Sequence, residues 1–171
     1  MKNAKNHRAI KKVQSKRIIA KNVITKKNSS ADILILTGQD LNIENVEMIA
    51  RRSKNPKTNK FCKIQLADSA RAKMAVSRKY IENEIENGAV IYGVNTGFGA
   101  MSSVRISPKD ITELQFNLIR SHAAGVGAPF SKEETRAIML LRANTLARGH
   151  SGVRPEVVDK ILEFLNTDVI P

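Results

Sequence analysis

The chain has 171 residues, 42% of them hydrophobic, with 29 Lys and Arg against 16 Asp and Glu for a formal charge of +13. That length supports one domain with a real core, and no run of about 18 apolar residues is present to span a membrane as a helix. The charge is uneven: residues 1–30 hold ten Lys or Arg and no acid, leaving 19 basic against 16 acidic residues, a net of +3, for the rest.

Residues 1–30 scatter Ile and Val among lysines and asparagines with no lasting period, so a basic, mostly disordered tail is expected ahead of a domain at 31–171. Such a tail could hold nucleic acid or an anionic surface through charge. It has no aromatic residue to stack on bases, so a solvated extension is the simpler reading and nucleic acid is not expected as a partner. It also lacks the apolar core of a secretion signal, which points to a cytoplasmic protein. Cys62 is the single cysteine, which rules out an intrachain disulfide and a CxxC metal site. With three histidines, one of them in the tail, no metal site is expected.

Ile33 to Leu36 reads as a short strand, and Asn42 as the N-cap of a helix that buries Val46, Ile49 and Ala50. Ser53 to Lys60 is a polar, proline-interrupted loop. Cys62, Ile64 and Leu66 alternate with polar residues as a second strand would. Asp68 is expected to cap a long helix with Ala70, Met74, Ser77, Ile81 and Ile85 on one face, stopping at Asn87 and Gly88. A third strand should then carry Tyr92 into a loop with glycine at 93, 97 and 99. Ser107, with Pro108 and Asp110 behind it, predicts the start of a helix burying Ile111, Leu114, Leu118 and Ile119 and ending at Gly125 and Gly127. Ser131 and Glu134 predict a capping box opening a helix to about Arg148. Its uninterrupted apolar run, Ala137 to Leu141, predicts burial on nearly all sides. Pro155 opens a last helix with Val157, Val158, Ile161, Leu162 and Leu165 as its stripe. The sum is a mainly α domain with a small β element and no internal repeat.

Ala89 to Met101, AVIYGVNTGFGAM, is the stretch most suited to a site. Three glycines in seven residues cost backbone entropy and serve where the chain needs φ > 0 or a ligand must approach bare amides. Neither GxxxxGK[ST] nor GxGxxG is present, which argues against a nucleotide cradle. On the residues alone, Tyr92 is either a structural phenol or a catalytic one. His122, at the end of an apolar helix and before two glycines, is either a satisfied structural imidazole or a pocket group. Asn144, Arg148 and Arg154 read as structural hydrogen-bonders or interface residues.

YGVNTGFG resembles the signature around the catalytic tyrosine of the aromatic amino acid ammonia-lyases. SHAAGVGAP, from Ser121 to Pro129, is similar to the next block of the histidine ammonia-lyases, and NTLARGHSGVRPEVVDKILEFLN, from Asn144 to Asn166, to the helical block that follows. The resemblance covers roughly Ile33 to Pro171. It implies the N-terminal domain of the aspartase/fumarase-like helical lyase fold and the non-oxidative elimination of ammonia from L-histidine to give urocanate in histidine degradation. It also implies a homotetramer. In this reading Tyr92 is the base that takes the β-proton. A phenol ordinarily titrates near pH ~10, so the phenolate needs about 4 kcal/mol of help near neutral pH, for which helix N-termini are one source. Gly99 matches the loop glycine beside the substrate carboxylate. Ser121 and His122 match the dipeptide that selects the ring, Ser-His resembling histidine lyases where Phe-Leu and His-Leu mark phenylalanine and tyrosine specificity. A tyrosine or phenylalanine lyase, an aminomutase, and a non-catalytic remnant are the alternatives.

The family's electrophile, 4-methylideneimidazol-5-one, is made from an internal Ala-Ser-Gly, and this chain contains no Ala-Ser pair. The chain reaches Pro171 just before that triad would be expected, so it reads as an N-terminal fragment that is inactive alone.

Overall fold

The computed structural model describes residues 32–107 and 109–171; the expected tail at 1–30 lies outside them. Two strands, β1 (Ile33–Leu36) and β2 (Lys63–Leu66), form a parallel pair in which Leu34 faces Ile64 and Leu36 faces Leu66. Parallel strands need a crossover, here α1 (Ile43–Ala50) and the loop after it. There follow α2 (Asp68–Glu86), a 3-10 turn (Gly99–Met101), α3 (Ile111–His122), α4 (Lys132–Leu146) and α5 (Pro155–Thr167). The fold is mainly α with a small β element, as the sequence implies.

The strands alternate exposed and buried residues, so Leu34, Leu36, Ile64 and Leu66 all reach one core. Ile49 of α1, Ala70 and Met74 of α2, Leu140, Ala143 and Leu146 of α4, and Val158, Leu162 and Leu165 of α5 close over them. Asn42 caps α1 by accepting from the Asn45 amide at 2.8 Å, and Ser131 with Glu134 makes the reciprocal capping box of α4. Those two starts agree with the sequence because a cap is a local contact.

Polar side chains tie the ends of these elements together. Arg136, buried inside α4, donates to the Ile49 carbonyl at 2.9 Å, the Leu165 carbonyl at 3.1 Å and Asp168 Oδ1 at 2.8 Å. Asp168 also pairs with Arg52. Arg71 grips Asp159 with both guanidinium nitrogens at 2.9 and 2.7 Å, joining α2 to α5, and Asp159 holds that guanidinium above its ordinary pKa. The Asn166 carboxamide accepts from the Ile64 amide at 2.8 Å and donates to the Ile64 carbonyl at 2.9 Å. It stands where a third strand would.

Several expectations are corrected. Asp68 is the first helical residue of α2; its N-cap is Ala67, with no side-chain cap bond. Residues 89–91 form no strand, and Tyr92 to Val94 make a turn instead. The Ser107 hydroxyl donates to Asp110 Oδ2 at 2.7 Å, and α3 begins later than expected, with Asp110 as its N-cap and no side-chain cap bond. That helix stops at His122, before Gly125. No residue of α3 is buried, and Ile119 is 67% exposed. On α4, Leu140 is buried but Ile138 and Leu141 are about half exposed, so the apolar run faces two ways. In α5, Val157 turns outward. On α1, Val46 and Ala50 are only partly covered, and Asn45 takes a buried place beside Ile49.

Candidate active site

The Tyr92 loop is built on hydrogen bonds rather than on a strand. Its entry is one tight turn: the Ile91 carbonyl accepts from the amides of Val94 at 3.1 Å and Asn95 at 3.2 Å. Asn95 Oδ1 accepts from the Ile91 amide at 2.8 Å, and Asn95 Nδ2 donates to the Ala89 carbonyl at 2.8 Å. Buried Thr96 accepts from the Gly93 amide at 3.3 Å and donates to the Gly97 carbonyl at 2.9 Å. The exit is a small antiparallel ladder in which Gly97 donates to Val104 at 3.1 Å and Ile106 to Asn95 at 2.9 Å, around the Thr96–Arg105 bridge.

Two glycines are required here for different reasons. A Cβ on Gly97 would stand 2.7 Å from Met101 Cβ and 2.9 Å from its carbonyl oxygen, so only glycine lets the 3-10 turn fold back. Gly99 has φ +56°, and nothing lies within 4 Å of the place its Cβ would take. Its backbone sits in left-handed space beneath open room, which suits an approaching ligand.

Tyr92 is 63% exposed, its ring meeting Phe98 edge-on at 6.0 Å between centroids and 75° between planes. Val90, Met101 and Val104 are also exposed nearby. The phenol is therefore presented outward on an apolar, backbone-bonded platform. Among the described residues it makes no side-chain hydrogen bond.

Ser121 and His122 sit in the last turn of α3. The Ser121 hydroxyl donates to the Leu118 carbonyl at 2.9 Å, and His122 Nδ1 lies 2.9 Å from that oxygen and 3.0 Å from Ser121 Oγ. A carbonyl only accepts, so Nδ1 carries the hydrogen in that contact. In the neutral ring that tautomer leaves the lone pair on Nε2, and His122 is exposed. Such a nitrogen can accept from an imidazole N–H, which a benzyl ring lacks. The structure pairs Ser121 with His122, and Tyr92 with the Gly99 loop. The two pairs lie on separate elements with no hydrogen bond between them among the described residues.

Asn144 is half-buried, and its Oδ1 has no hydrogen-bond partner among the described residues. No group of three or more His, Cys, Asp or Glu among those residues could hold a metal ion, and no helix is long and apolar enough to cross a membrane. Cys62 is partly buried, and burial pushes its thiol up. An open groove of about 510 Å³ lies along β2 between Arg71, Asp159 and Asn166, and no residue of the tyrosine loop lines it. The residues the sequence reasoning missed are Asn95 and Thr96. Their signal is an Asn-Thr pair between glycines, where side chains substitute for backbone partners.

Known proteins bear on this arrangement. The profile of the family described as aromatic amino acid lyase matches residues 41–171. The chain is 44% identical over 139 residues to a histidine ammonia-lyase of Shouchella clausii, covering 81% of this chain and 26% of that protein. Among solved structures it is similar to a tyrosine aminomutase from Streptomyces globisporus, 36% identical at a TM-score of 0.70 over 81% of this chain and 25% of that one. It is also similar to a histidine ammonia-lyase from Trypanosoma cruzi, 36% identical at 0.66 over 78% of this chain and 25% of that one. The chain thus spans about a quarter of the length of these relatives. The match takes in the tyrosine loop, the Ser121-His122 helix end and the helices behind them, and the chain belongs to the aromatic amino acid lyase family.

Proposed function

We propose that this chain supplies the base and part of the substrate pocket of a histidine ammonia-lyase, which eliminates ammonia from L-histidine to give urocanate. The observation that carries the reading is the 44% identity to the Shouchella clausii protein of that name. The exposed His122 supports it, since with Nδ1 donating to the Leu118 carbonyl its Nε2 is left to accept from a substrate imidazole. Tyr92 takes the β-proton from an exposed position on its platform, which leaves the phenol accessible. Gly99 leaves room for the substrate carboxylate beside its amide. Ser121 holds His122 in orientation through their shared contact with the Leu118 carbonyl.

The family's prosthetic group, 4-methylideneimidazol-5-one, does not fit residues of this chain, which contains no Ala-Ser-Gly. The same reading makes the complete enzyme a cytoplasmic homotetramer, with the basic residues 1–30 as a tail ahead of the lyase domain. An aminomutase is the second reading, favoured by the Streptomyces globisporus likeness; the Ser121-His122 pair favours histidine.

The test joins this chain to the remaining segment of the Shouchella clausii relative and follows urocanate formation. The joined enzyme should turn over histidine, and Tyr92→Phe should lower kcat by about 10² to 10⁴. Turnover within tenfold of the parent in Tyr92→Phe would remove the base assignment. Conversion of tyrosine to its β-isomer in place of urocanate would establish the second reading.

A further inference from the structure

Tyr92 is exposed and makes no side-chain hydrogen bond among the described residues, so its direction is set by the backbone that carries it and by the edge-on contact of its ring with Phe98. Asn95 controls that backbone. It is 2% exposed, and its carboxamide bonds to two of the three residues that lead into Tyr92: Oδ1 takes the Ile91 amide and Nδ2 gives to the Ala89 carbonyl, each at 2.8 Å. Its own amide and carbonyl fix the far side, through the Ile91 carbonyl at 3.2 Å and the Ile106 amide at 2.9 Å. All four polar groups of this one residue are thus spent on closing the turn that presents the phenol. A buried amide satisfied at both ends admits one geometry, because rotating it would leave two polar atoms unpaired. Thr96 braces the same turn through the Gly93 amide and the Gly97 carbonyl, and the Phe98 ring meets the Tyr92 ring edge-on. We infer that Asn95 is the positioning residue of Tyr92, setting the direction of the phenol without touching substrate. The inference rests on Tyr92 being the base.

The chain contains two tyrosines, so Tyr80→Phe leaves Tyr92 as the only site for 3-fluorotyrosine and a single fluorine resonance. Tyr80 is exposed, which makes that background benign. Asn95→Ala should shift or broaden the resonance and speed exchange of the Ile91 amide by about tenfold or more. Asn95→Asp is the conservative rescue. Its protonated carboxyl can donate to the Ala89 carbonyl and accept from Ile91 as the amide does, so the parent resonance should return on acidification. A purely structural role would lower the unfolding midpoint yet leave the native resonance of Tyr92 in place, and that result overturns the inference. In the joined enzyme, Asn95→Ala should lower kcat about 10- to 100-fold with KM within about twofold. An unchanged kcat beside an inactive Tyr92→Phe also overturns it. If Tyr92→Phe instead retains turnover, the base assignment falls while the fluorine result still decides what Asn95 does.

Discussion

Replacing Arg136 by Met tests whether a buried charge holds this fold together. The guanidinium makes three hydrogen bonds, to Ile49, Leu165 and Asp168, with its side chain only 5% exposed. Burial pulls its pKa below the ordinary arginine value, Arg52 pulls the same way, and Asp168 opposes them. Removing one partner of a buried ion pair costs about 3–5 kcal/mol. Asp168 is 29% exposed and keeps Arg52, so the lower part of that range applies. All three bonds are charge-assisted, at about 1.5–3 kcal/mol each, and their sum is brought back toward that range by the desolvation that Met relieves and by its apolar stem. The expected loss is about 3 kcal/mol. With a urea slope of about 2 kcal/mol/M the unfolding midpoint should fall by about 1.5 M. Arg136→Lys, a point charge unable to reach three acceptors, should fall between the two. A Met variant within 0.5 kcal/mol of the parent, on the ~1 kcal/mol scale of a single hydrogen bond, would show that desolvation cancels the network and would refute the reasoning.

Asn166→Leu keeps the bulk but strips both bonds from Ile64, and should cost about 2–3 kcal/mol with faster exchange of the Ile64 amide. Asn166→Asp should be worse at neutral pH than in acid, because a carboxylate would face the Ile64 carbonyl. Glu134 accepts from the Ser131 amide and hydroxyl, which holds its carboxyl below the usual range. Its stabilisation is therefore present above the unfolded pKa and lost as pH falls through the folded one. The stability gap between the parent and Glu134→Gln, read from urea midpoints, should close on acidification. In the joined enzyme, Ser121→Phe with His122→Leu should cut kcat/KM for histidine by as much as about 10⁴ to 10⁵, while phenylalanine gains only about 1–3 kcal/mol in apolar contact. An unchanged ratio would return His122 to a structural role.

What the sequence disclosed was local or periodic. Ser131 and Glu134 lie three residues apart, so their capping box could be read directly, and the alternation of Cys62, Ile64 and Leu66 with polar residues named the buried side of β2, whereas the wholly apolar Ile33–Leu36 marked a strand without saying which side is buried. Ser107 misled because its hydroxyl bonds the Asp110 carboxylate instead of a backbone amide. The run at 89–91 was too short to distinguish a strand from the lead-in to a turn, and the turn won because Asn95 offers the backbone closer partners. The α3 stripe at Ile111, Leu114 and Leu118 marks one face, but periodicity cannot say what covers it. Arg136 and Asn166 were illegible for another reason: their partners are remote in sequence, Arg136 reaching residues 29, 32 and 87 positions away and Asn166 one 102 away. In the site, the tyrosine and the Ser-His pair were legible as motifs, whereas Asn95 emerges only once its two bonds are seen.

The pairing of Asn166 with Ile64 also has a consequence in time. During synthesis β1 and β2 emerge early, yet the side chain that seals their outer edge is made 102 residues later. At about 5–20 residues per second the edge stays unsealed for roughly 5–20 s. A bare strand edge bearing Ile64 and Leu66 can recruit a neighbouring nascent chain in that interval. The yield of soluble protein should therefore depend on translation speed through α5, and slow codons between 67 and 166 should lower it by prolonging the exposure.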